Sequence, residues 1–126
     1  MLKNNACFSS FSVDHIGRAK MFYGEKLGLK YDEPSAGLLE LFTAGGSRIL
    51  VYEKPDHVPS TYTVLNFRCE NIELKISELA CGGIKFEHYE DECATNEKGI
   101  HERGGSKIAW FKDPAGNVLS LVQMVR

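Results

Sequence analysis

The sequence contains no apolar run that approaches the roughly 18 residues needed to span a membrane. Its first ten residues, MLKNNACFSS, lack the long apolar core of a secretory signal peptide. Neither sign of charge dominates: the formal net charge is −2 and the basic residues are scattered, whereas nucleic-acid-binding proteins concentrate them in a patch or stripe. We therefore expect a cytoplasmic protein with no membrane partner and no nucleic-acid partner.

The four cysteines form no CxxC pair, which argues against a zinc cluster. Thiols stay reduced in the cytosol, so free cysteines are favoured over a disulfide framework. Cys7 and Cys69 lie in strand-like segments, where we expect them to be small core residues. The sequence also lacks a phosphate-binding loop and a dinucleotide fingerprint.

What the sequence does contain is an internal repeat. The segment FSVDHI at 11–16 has a counterpart, FRCENI at 67–72, which lies 56 positions later and keeps the same order of apolar, polar and acidic residues. The segment GLKY at 28–31 recurs 55 positions later as GIKF at 83–86. Two matches in register, separated by a slip of one residue, indicate a duplication.

Each repeat begins with a strand of alternating character and continues into an amphipathic helix. Asp14 and Asn71 are predicted to cap these helices, and Gly28 and the pair Gly82-Gly83 to end them. The residues expected to face the core are Ile16, Ala19, Tyr23 and Leu27 in the first helix, and Ile72, Ile76, Leu79 and Ala80 in the second.

Short strands and tight turns follow each helix. The predicted strands are 38–42 and 48–52 in the first repeat, and 84–89, 108–111 and 118–122 in the second. A glycine turn at 44–47 and a DPAGN turn at 113–117 connect neighbouring strands, the second with Gly or Asn at positive φ. The polar stretch 90–105 is predicted to be a long functional or mobile loop.

These elements predict an α+β fold made of two βαβββ repeats. A chain of 126 residues fits one domain. We place repeat one at about 5–54, a linker containing Pro55 and Pro59 at 55–60, and repeat two at about 61–124.

Several strings resemble a known superfamily: SVDHI at 12–16, FY at 22–23, LGL at 27–29 and AWFKDPAGNVL at 109–119. The chain looks like a member of the vicinal oxygen chelate superfamily, which includes glyoxalase I, bleomycin-resistance proteins, fosfomycin-resistance enzymes and extradiol dioxygenases. The resemblance implies curved mixed sheets that enclose a cavity, often completed in a homodimer. Trp110, Phe111 and Tyr52 would then supply apolar interface area, or else belong to the core of a monomer.

Enzymes of this superfamily hold a divalent metal with a His in the first strand and a carboxylate in the last strand of each repeat. The resemblance puts the two His positions on Phe8 and Val64. It puts the carboxylates near Ile49, with Val51 as the other choice, and on Ser120. None of these side chains is a good metal ligand, so we expect no metal and no cofactor.

The same register predicts the ligand-binding face of the sheets. The cavity candidates are Phe8, Ser10, Val64, Asn66, Arg68, Trp110 and Ser120. Asn66 and Arg68 alternate with apolar residues that should pack under the helices. Arg68 is a candidate anchor for an anionic or carbonyl group, or alternatively pairs with a local carboxylate.

The histidines offer a weaker site. His15 and His57 are interpreted as solvated surface residues. His88 and Glu90 share a strand face with Phe86 and could form a proton-transfer pair, although an exposed strand edge is the simpler interpretation. His101 belongs to the long loop, as part of a lid or of an ordinary surface loop.

The loss of all four family ligand positions favours a metal-independent small-molecule binding protein of the bleomycin-resistance type, which sequesters a ligand in the sheet cavity. The alternative is a glyoxalase-like lyase or isomerase that uses a non-standard metal or acid/base site. The identity of the ligand is not encoded in any motif.

Overall fold

The computed structural model describes residues 1–124, which divide into two compact units, Met1–Val58 and Pro59–Arg126. The boundary falls inside the linker predicted at 55–60. The assignment of both repeats to one domain stays a prediction. Within the described residues no helix is both long and apolar enough to cross a membrane.

The first unit is a four-stranded mixed sheet with one helical segment. Its elements are β1 (Ser9–Val13), α1 (Ile16–Lys20) continued by a π-helical turn (Met21–Lys26), β2 (Lys30–Asp32), β3 (Leu38–Phe42) and β4 (Arg48–Glu53). The strand order is β1-β4-β3-β2, with β1 and β4 parallel and the other pairs antiparallel. We call it sheet one.

The second unit repeats this plan. Its elements are β5 (Thr63–Arg68), α2 (Ile72–Cys81), β6 (Ile100–Arg103), β7 (Ser106–Lys112) and β8 (Val118–Gln123). The order of sheet two is β5-β8-β7-β6, again with one parallel pair, β5 with β8. The predicted α+β architecture of two βαβββ-like halves is therefore confirmed.

The N-terminal cap of α1 differs from the prediction. His15, not Asp14, is the cap residue, and its Nδ1 accepts a hydrogen bond from the Arg18 amide at 3.3 Å. In α2 the predicted cap is correct: Asn71 Oδ1 accepts from the Leu74 amide at 3.1 Å. His15 and Asn71 are separated by the repeat offset, so applying that offset would have identified both caps.

The first helix is not the regular α-helix that the apolar stripe predicted. After Lys20 the chain widens into the π-helical turn, in which the Leu27 amide donates to the Phe22 carbonyl. Phe22 and Tyr23 are both buried, whereas Leu27 is only half-buried. Gly24 permits this turn to pack closely, because a Cβ there would lie 2.5 Å from the Tyr31 ring.

The predicted glycine stops and the DPAGN turn are confirmed in outline. Gly28 has φ 71°, while in the Gly82-Gly83 pair it is Gly83, with φ 95°, that takes the left-handed conformation. Gly116 supplies the positive φ of the DPAGN turn, and Asp113 Oδ1 accepts from the amides of Ala115 and Asn117. This turn brings β7 into register with β8.

The strand predicted at 84–89 is wrong apart from Phe86, which forms an isolated bridge with Phe111. The next residues close a local loop, since the amides of Tyr89 and Thr95 each bond to an oxygen of the other residue. Their backbone groups are therefore not available to β7. The chain returns to the sheet as β6, inside the stretch predicted to be a polar loop.

Apolar side chains on the helix side of each sheet form the core. In sheet two, α2 contacts β7 and β8, and Ile72, Phe111 and Leu119 have no exposed surface. Phe111 is thus a core residue and offers no interface area. Cys7 is exposed, contrary to the prediction, because β1 begins only at Ser9. Cys69 is half-buried, and its burial raises the pKa of the thiol.

Candidate functional site

The face of sheet two that α2 leaves uncovered carries most of the predicted site residues. On β8 the side chains alternate: Gln123 Oε1 accepts from the Ile72 amide at the start of α2, which fixes the odd-numbered residues on the helix side. Ser120 and Val122 consequently point to the other side. We call this the open face, formed by Asn66, Arg68, His101, Ile108, Trp110, Ser120 and Val122.

One row across the open face joins three of the predicted residues. Asn66 on β5 and Trp110 on β7 both lie directly opposite Ser120 on β8. Ser120 is fully buried, and its Oγ donates a 2.6 Å hydrogen bond to Asn66 Oδ1. Asn66 itself is exposed. The side-chain carbonyl of Asn66 is therefore occupied from below, and its amide NH₂ finds no partner among residues 1–124.

Arg68 lies in the next row, opposite Val122, which is in turn opposite Ile108. The side chain of Arg68 is exposed, and no carboxylate within the described part of the chain forms an ion pair with it. Of the two alternatives predicted for Arg68, pairing with a local carboxylate is thus not observed there. The guanidinium is a strong donor beside the Asn66–Ser120 pair.

Aromatic rings form the other end of the open face. The Trp110 indole meets the ring of Tyr89 edge-on, with the centroids 5.5 Å apart, and that of His101 at 5.9 Å. His101 is held by a 2.8 Å hydrogen bond between Nδ1 and the Ala94 carbonyl. All three rings are half-buried. A planar group placed on this face can stack on the indole and contact two further rings.

Carboxylates make the aromatic end electronegative. Burial, and then the carboxylates of Glu87 and Asp91 with the Cys93 thiol, raise the pKa of the Tyr89 hydroxyl. Glu87 is partly balanced by Lys112, whose Nζ lies 3.5 Å away. The open face thus has a cationic donor at one end and negative charge at the other.

Three sequence-based assignments in the second unit need correction. Val64 is the extra residue at a β-bulge between Thr63 and Leu65, so simple alternation does not place it on the open face. His88 and Glu90 are exposed and lie outside any strand, because the chain leaves the sheet after Phe86. His101 lies in β6, not in a loop, because the chain rejoins β7 at Ile100.

The remaining predicted residues, Phe8 and Ser10, belong to the first unit. Phe8 precedes β1 and is 70% exposed, so it lies outside the strand in which it was placed. Ser10 is on β1 opposite Leu50, in the row that corresponds to Asn66 and Ser120. Leu50 is therefore the counterpart of Ser120, whereas Ile49 and Val51 are buried on the opposite side of β4.

A serine–histidine contact also distinguishes the first unit. His57 is half-buried, and its Nδ1 lies 2.7 Å from Ser12 Oγ, so its interpretation as a solvated residue is wrong. Ser12 shares the uncovered side of sheet one with Ser10 and Tyr52. The contact ties the end of the first unit back onto β1.

The positions that correspond to the superfamily's metal ligands do not fit a metal. Phe8, Val64 and Leu50 carry hydrocarbon side chains, and the Ser120 hydroxyl is already bonded to Asn66. Across residues 1–124 no three His, Cys, Asp or Glu side chains are grouped so that they could hold a metal ion. We therefore derive no chemical step through a metal.

A groove follows one side of α2. This groove, of about 480 Å³, is lined by Asn71, Glu73, Leu74, Ile76, Ser77, Ala80 and Lys98. Lys98 Nζ bonds to Glu73 at 3.1 Å, which lowers the pKa of that carboxyl. The charged groups of the groove, Lys98 and Glu73, are already paired with each other.

Tyr89 is the functional candidate that sequence reasoning missed. The alternating pattern predicts a strand there, whereas the Tyr89–Thr95 hydrogen bonds and the bond from the Glu87 amide to the Trp110 carbonyl hold its ring against Trp110. The signal available in the sequence was the insertion itself, because the second repeat is longer than the first between helix and third strand.

Comparison with known proteins places this geometry in a common fold. TnmS3, an antibiotic binding protein from Streptomyces sp. CB03234, superposes with a TM-score of 0.70 at 22% identity, covering 97% of this chain and 98% of its own. A bleomycin-binding protein complexed with bleomycin gives 0.67 at 20% identity, covering 97% and 100%. A glyoxalase/bleomycin resistance protein/dioxygenase from Alicyclobacillus acidocaldarius gives 0.70 at 17% identity, covering 98% and 93%.

No protein-family model matches the chain, and no curated protein matches it significantly. The structural likenesses, all at low sequence identity, show the fold: the chain has the vicinal oxygen chelate fold of the glyoxalase/bleomycin resistance/dioxygenase superfamily. The resemblance noted in the sequence is confirmed at that level.

Proposed function

We propose that the protein binds a small molecule on the open face of sheet two and does so without a metal ion. The observation that carries this proposal is the pairing of an aromatic surface at Trp110 with unpartnered donors on Asn66 and Arg68. Small-molecule sites combine apolar and aromatic lining with a few placed polar groups. If this face were buried in the protein core, its polar groups would be hydrogen-bonded to other groups of the protein.

The structural neighbours support a binding role. Two of them are described as an antibiotic binding protein and as a bleomycin-binding protein complexed with bleomycin. Small-molecule binding requires an accessible face with suitable side chains and, unlike metal-assisted catalysis, no Lewis acid. The lack of ligating side chains at the superfamily's metal positions is consistent with such a role in this chain.

We further propose that the protein acts by sequestering its ligand in the cytoplasm as a homodimer, without nucleic-acid or membrane partners. Tyr52 is half-buried and retains apolar surface that a second copy could cover. Light scattering at micromolar concentration tests the dimer, since a monomer would give a mass of 14.1 kDa.

A thermal-shift screen of chelator-treated protein tests the function. The samples are bleomycin and other antibiotics, then nickel, zinc and manganese, and finally methylglyoxal with glutathione. A ligand that binds only the folded state raises the midpoint according to its saturation. We expect a shift with at least one organic compound in the presence of EDTA, and the Trp110→Ala variant should lose it.

Two results would contradict the proposal. Metal-dependent turnover of the glutathione hemithioacetal would establish a glyoxalase-like lyase instead. A shift that appears only after metal is restored would remove the claim of metal independence.

A further inference from the structure

We infer that the ligand of the open face is a planar ring system carrying a carboxylate or carbonyl acceptor, with the ring on Trp110 and the acceptor at Asn66 and Arg68. This inference rests on the proposed function and specifies its ligand class. The hydrogen-bonding groups of the face that lack a partner indicate the chemistry that the ligand must supply.

Three groups along the open face, on Asn66, Arg68 and Trp110, present hydrogen-bond donors. The Asn66 carbonyl oxygen is held by Ser120, which leaves the amide NH₂ directed outward. The Arg68 guanidinium has five N–H donors and no acceptor, and the Trp110 indole has a single N–H. None of these three groups has a partner among residues 1–124. A ligand that satisfies them must supply hydrogen-bond acceptors, and a carboxylate or carbonyl oxygen is the acceptor that best matches the Arg68 guanidinium.

Ser120 is the positioning residue in this arrangement. Its hydroxyl is fully buried and donates to Asn66 Oδ1 at 2.6 Å, which favours the amide orientation that exposes NH₂. Without this hydroxyl the Asn66 amide could turn and offer its oxygen instead. Ser120 is therefore expected to determine whether the site prefers acceptor or donor groups, although it does not itself reach the ligand.

The charges along the face orient the ligand. Arg68 attracts an anionic group to the β5 side, while Glu87 and Asp91 lie by Tyr89 at the aromatic end. Lys112 offsets part of the Glu87 charge, but Asp91 still disfavours an anion beside Tyr89, so the acceptor is expected to point from Trp110 toward Arg68. The ring would lie on β7 and the acceptor on β5, the two strands that flank β8.

Three probes that share one ring system test the ligand class: 2-naphthoate, 2-naphthylmethanol and 2-naphthylmethylammonium. Each is titrated at neutral pH, in EDTA, into ¹⁵N-labelled protein. Because the chain has one tryptophan, the single indole N–H signal reports contact at Trp110 directly. We expect 2-naphthoate to bind most tightly and the ammonium compound most weakly.

Variants assign the preference to individual groups. Arg68→Gln should weaken 2-naphthoate about tenfold or more, since a hydrogen bond to a charged group is worth at least a tenfold step in affinity. Asn66→Asp should weaken the binding of 2-naphthoate by a similar factor and should strengthen the binding of 2-naphthylmethylammonium. Ser120→Ala should reduce the ratio of the affinity for 2-naphthoate to the affinity for 2-naphthylmethylammonium by about threefold. The amide spectrum of this variant checks that it is folded. Arg18→Gln, at an exposed position on α1, is the charge-matched control and should change nothing.

The outcomes separate this inference from the proposed function. If 2-naphthylmethylammonium shifts the indole signal and binds as tightly as 2-naphthoate or more tightly, the inferred ligand class is wrong, but the open face still binds a small molecule. If Ser120→Ala leaves the ratio of the two affinities unchanged, Ser120 does not position the Asn66 amide. Failure of every probe to move the indole signal would count against both the inferred ligand class and binding at this face.

Discussion

The two sheets have the same register but carry different chemistry on their uncovered sides. Ser10, Leu50 and Glu40 form one row in sheet one, and Asn66, Ser120 and Trp110 form the corresponding row in sheet two. The first row has an apolar centre beside a carboxylate. The second has a buried hydroxyl that fixes an amide, next to an aromatic ring.

The helix-covered sides differ much less. Phe11 and Val51 of sheet one correspond to Phe67 and Leu121 of sheet two, and all four are apolar. Burial against a helix restricts these positions to hydrocarbon side chains of suitable volume. The uncovered side is free of that restriction, so a duplicated scaffold can keep one core pattern and acquire a binding surface on one copy.

The largest expected effect lies in the core of sheet two. Phe111→Ala should lower the free energy of unfolding by about 3–5 kcal/mol, because it deletes a fully buried ring. Leu41→Ala at the corresponding position of sheet one should cost about 2–5 kcal/mol. Urea denaturation of both variants measures the two losses. A loss below 1 kcal/mol in either case would contradict the assignment of equivalent cores.

Trp110 is the neighbour of Phe111 on the opposite side of β7, and its replacement should reduce ligand binding more than stability. Trp110→Ala should retain the fold but weaken binding of 2-naphthoate by about tenfold or more, since aromatic anchors dominate such contacts. Trp110→Phe is the matched control, because it keeps a ring in place, and should retain most of the affinity. Calorimetry with each variant measures this. Unchanged affinity in Trp110→Ala would move the site away from the open face.

Alternation of apolar residues was sufficient to predict which residues of sheet two lie on each side. Asn66, Arg68, Trp110 and Ser120 lie on one side of sheet two because β5, β7 and β8 are regular over those residues, while their role as ligand contacts stays a prediction. Prediction failed where the chain departs from regular geometry. The bulge at Val64, the π-helical turn after Lys20 and the loop after Phe86 are set by tertiary packing and local hydrogen bonds that periodicity does not encode.

Tyr89 gives a smaller, pH-dependent effect. Its raised pKa means that the folded state holds the hydroxyl proton more tightly than the unfolded state, whose tyrosine titrates near the ordinary value of 10.0. The stability contributed by the protonated form is present below that pH and is lost as the pH rises through the folded-state pKa. Urea denaturation at increasing alkaline pH should therefore show a decline that is weaker in Tyr89→Phe. An identical decline in both proteins would contradict the burial of Tyr89 beside carboxylates.

The smallest expected difference concerns thiol reactivity. Burial raises the pKa of Cys69, which is half-buried, whereas Cys7, Cys81 and Cys93 are exposed to the reagent. Iodoacetamide followed by peptide mass spectrometry should label Cys69 last. Labelling of Cys69 at the same rate as Cys81 would indicate that the end of β5 opens readily.

Metal-independent binding on the open face is tested most directly by mapping the backbone and side-chain amide shifts that 2-naphthoate causes in metal-free protein in EDTA. We expect the perturbed signals to lie on β5, β7 and β8 at Asn66, Arg68, Trp110 and Ser120. The shift of the Trp110 indole N–H should be among the largest. Perturbations confined to the groove along α2, around Leu74 and Lys98, or shifts that require added metal, would contradict this expectation.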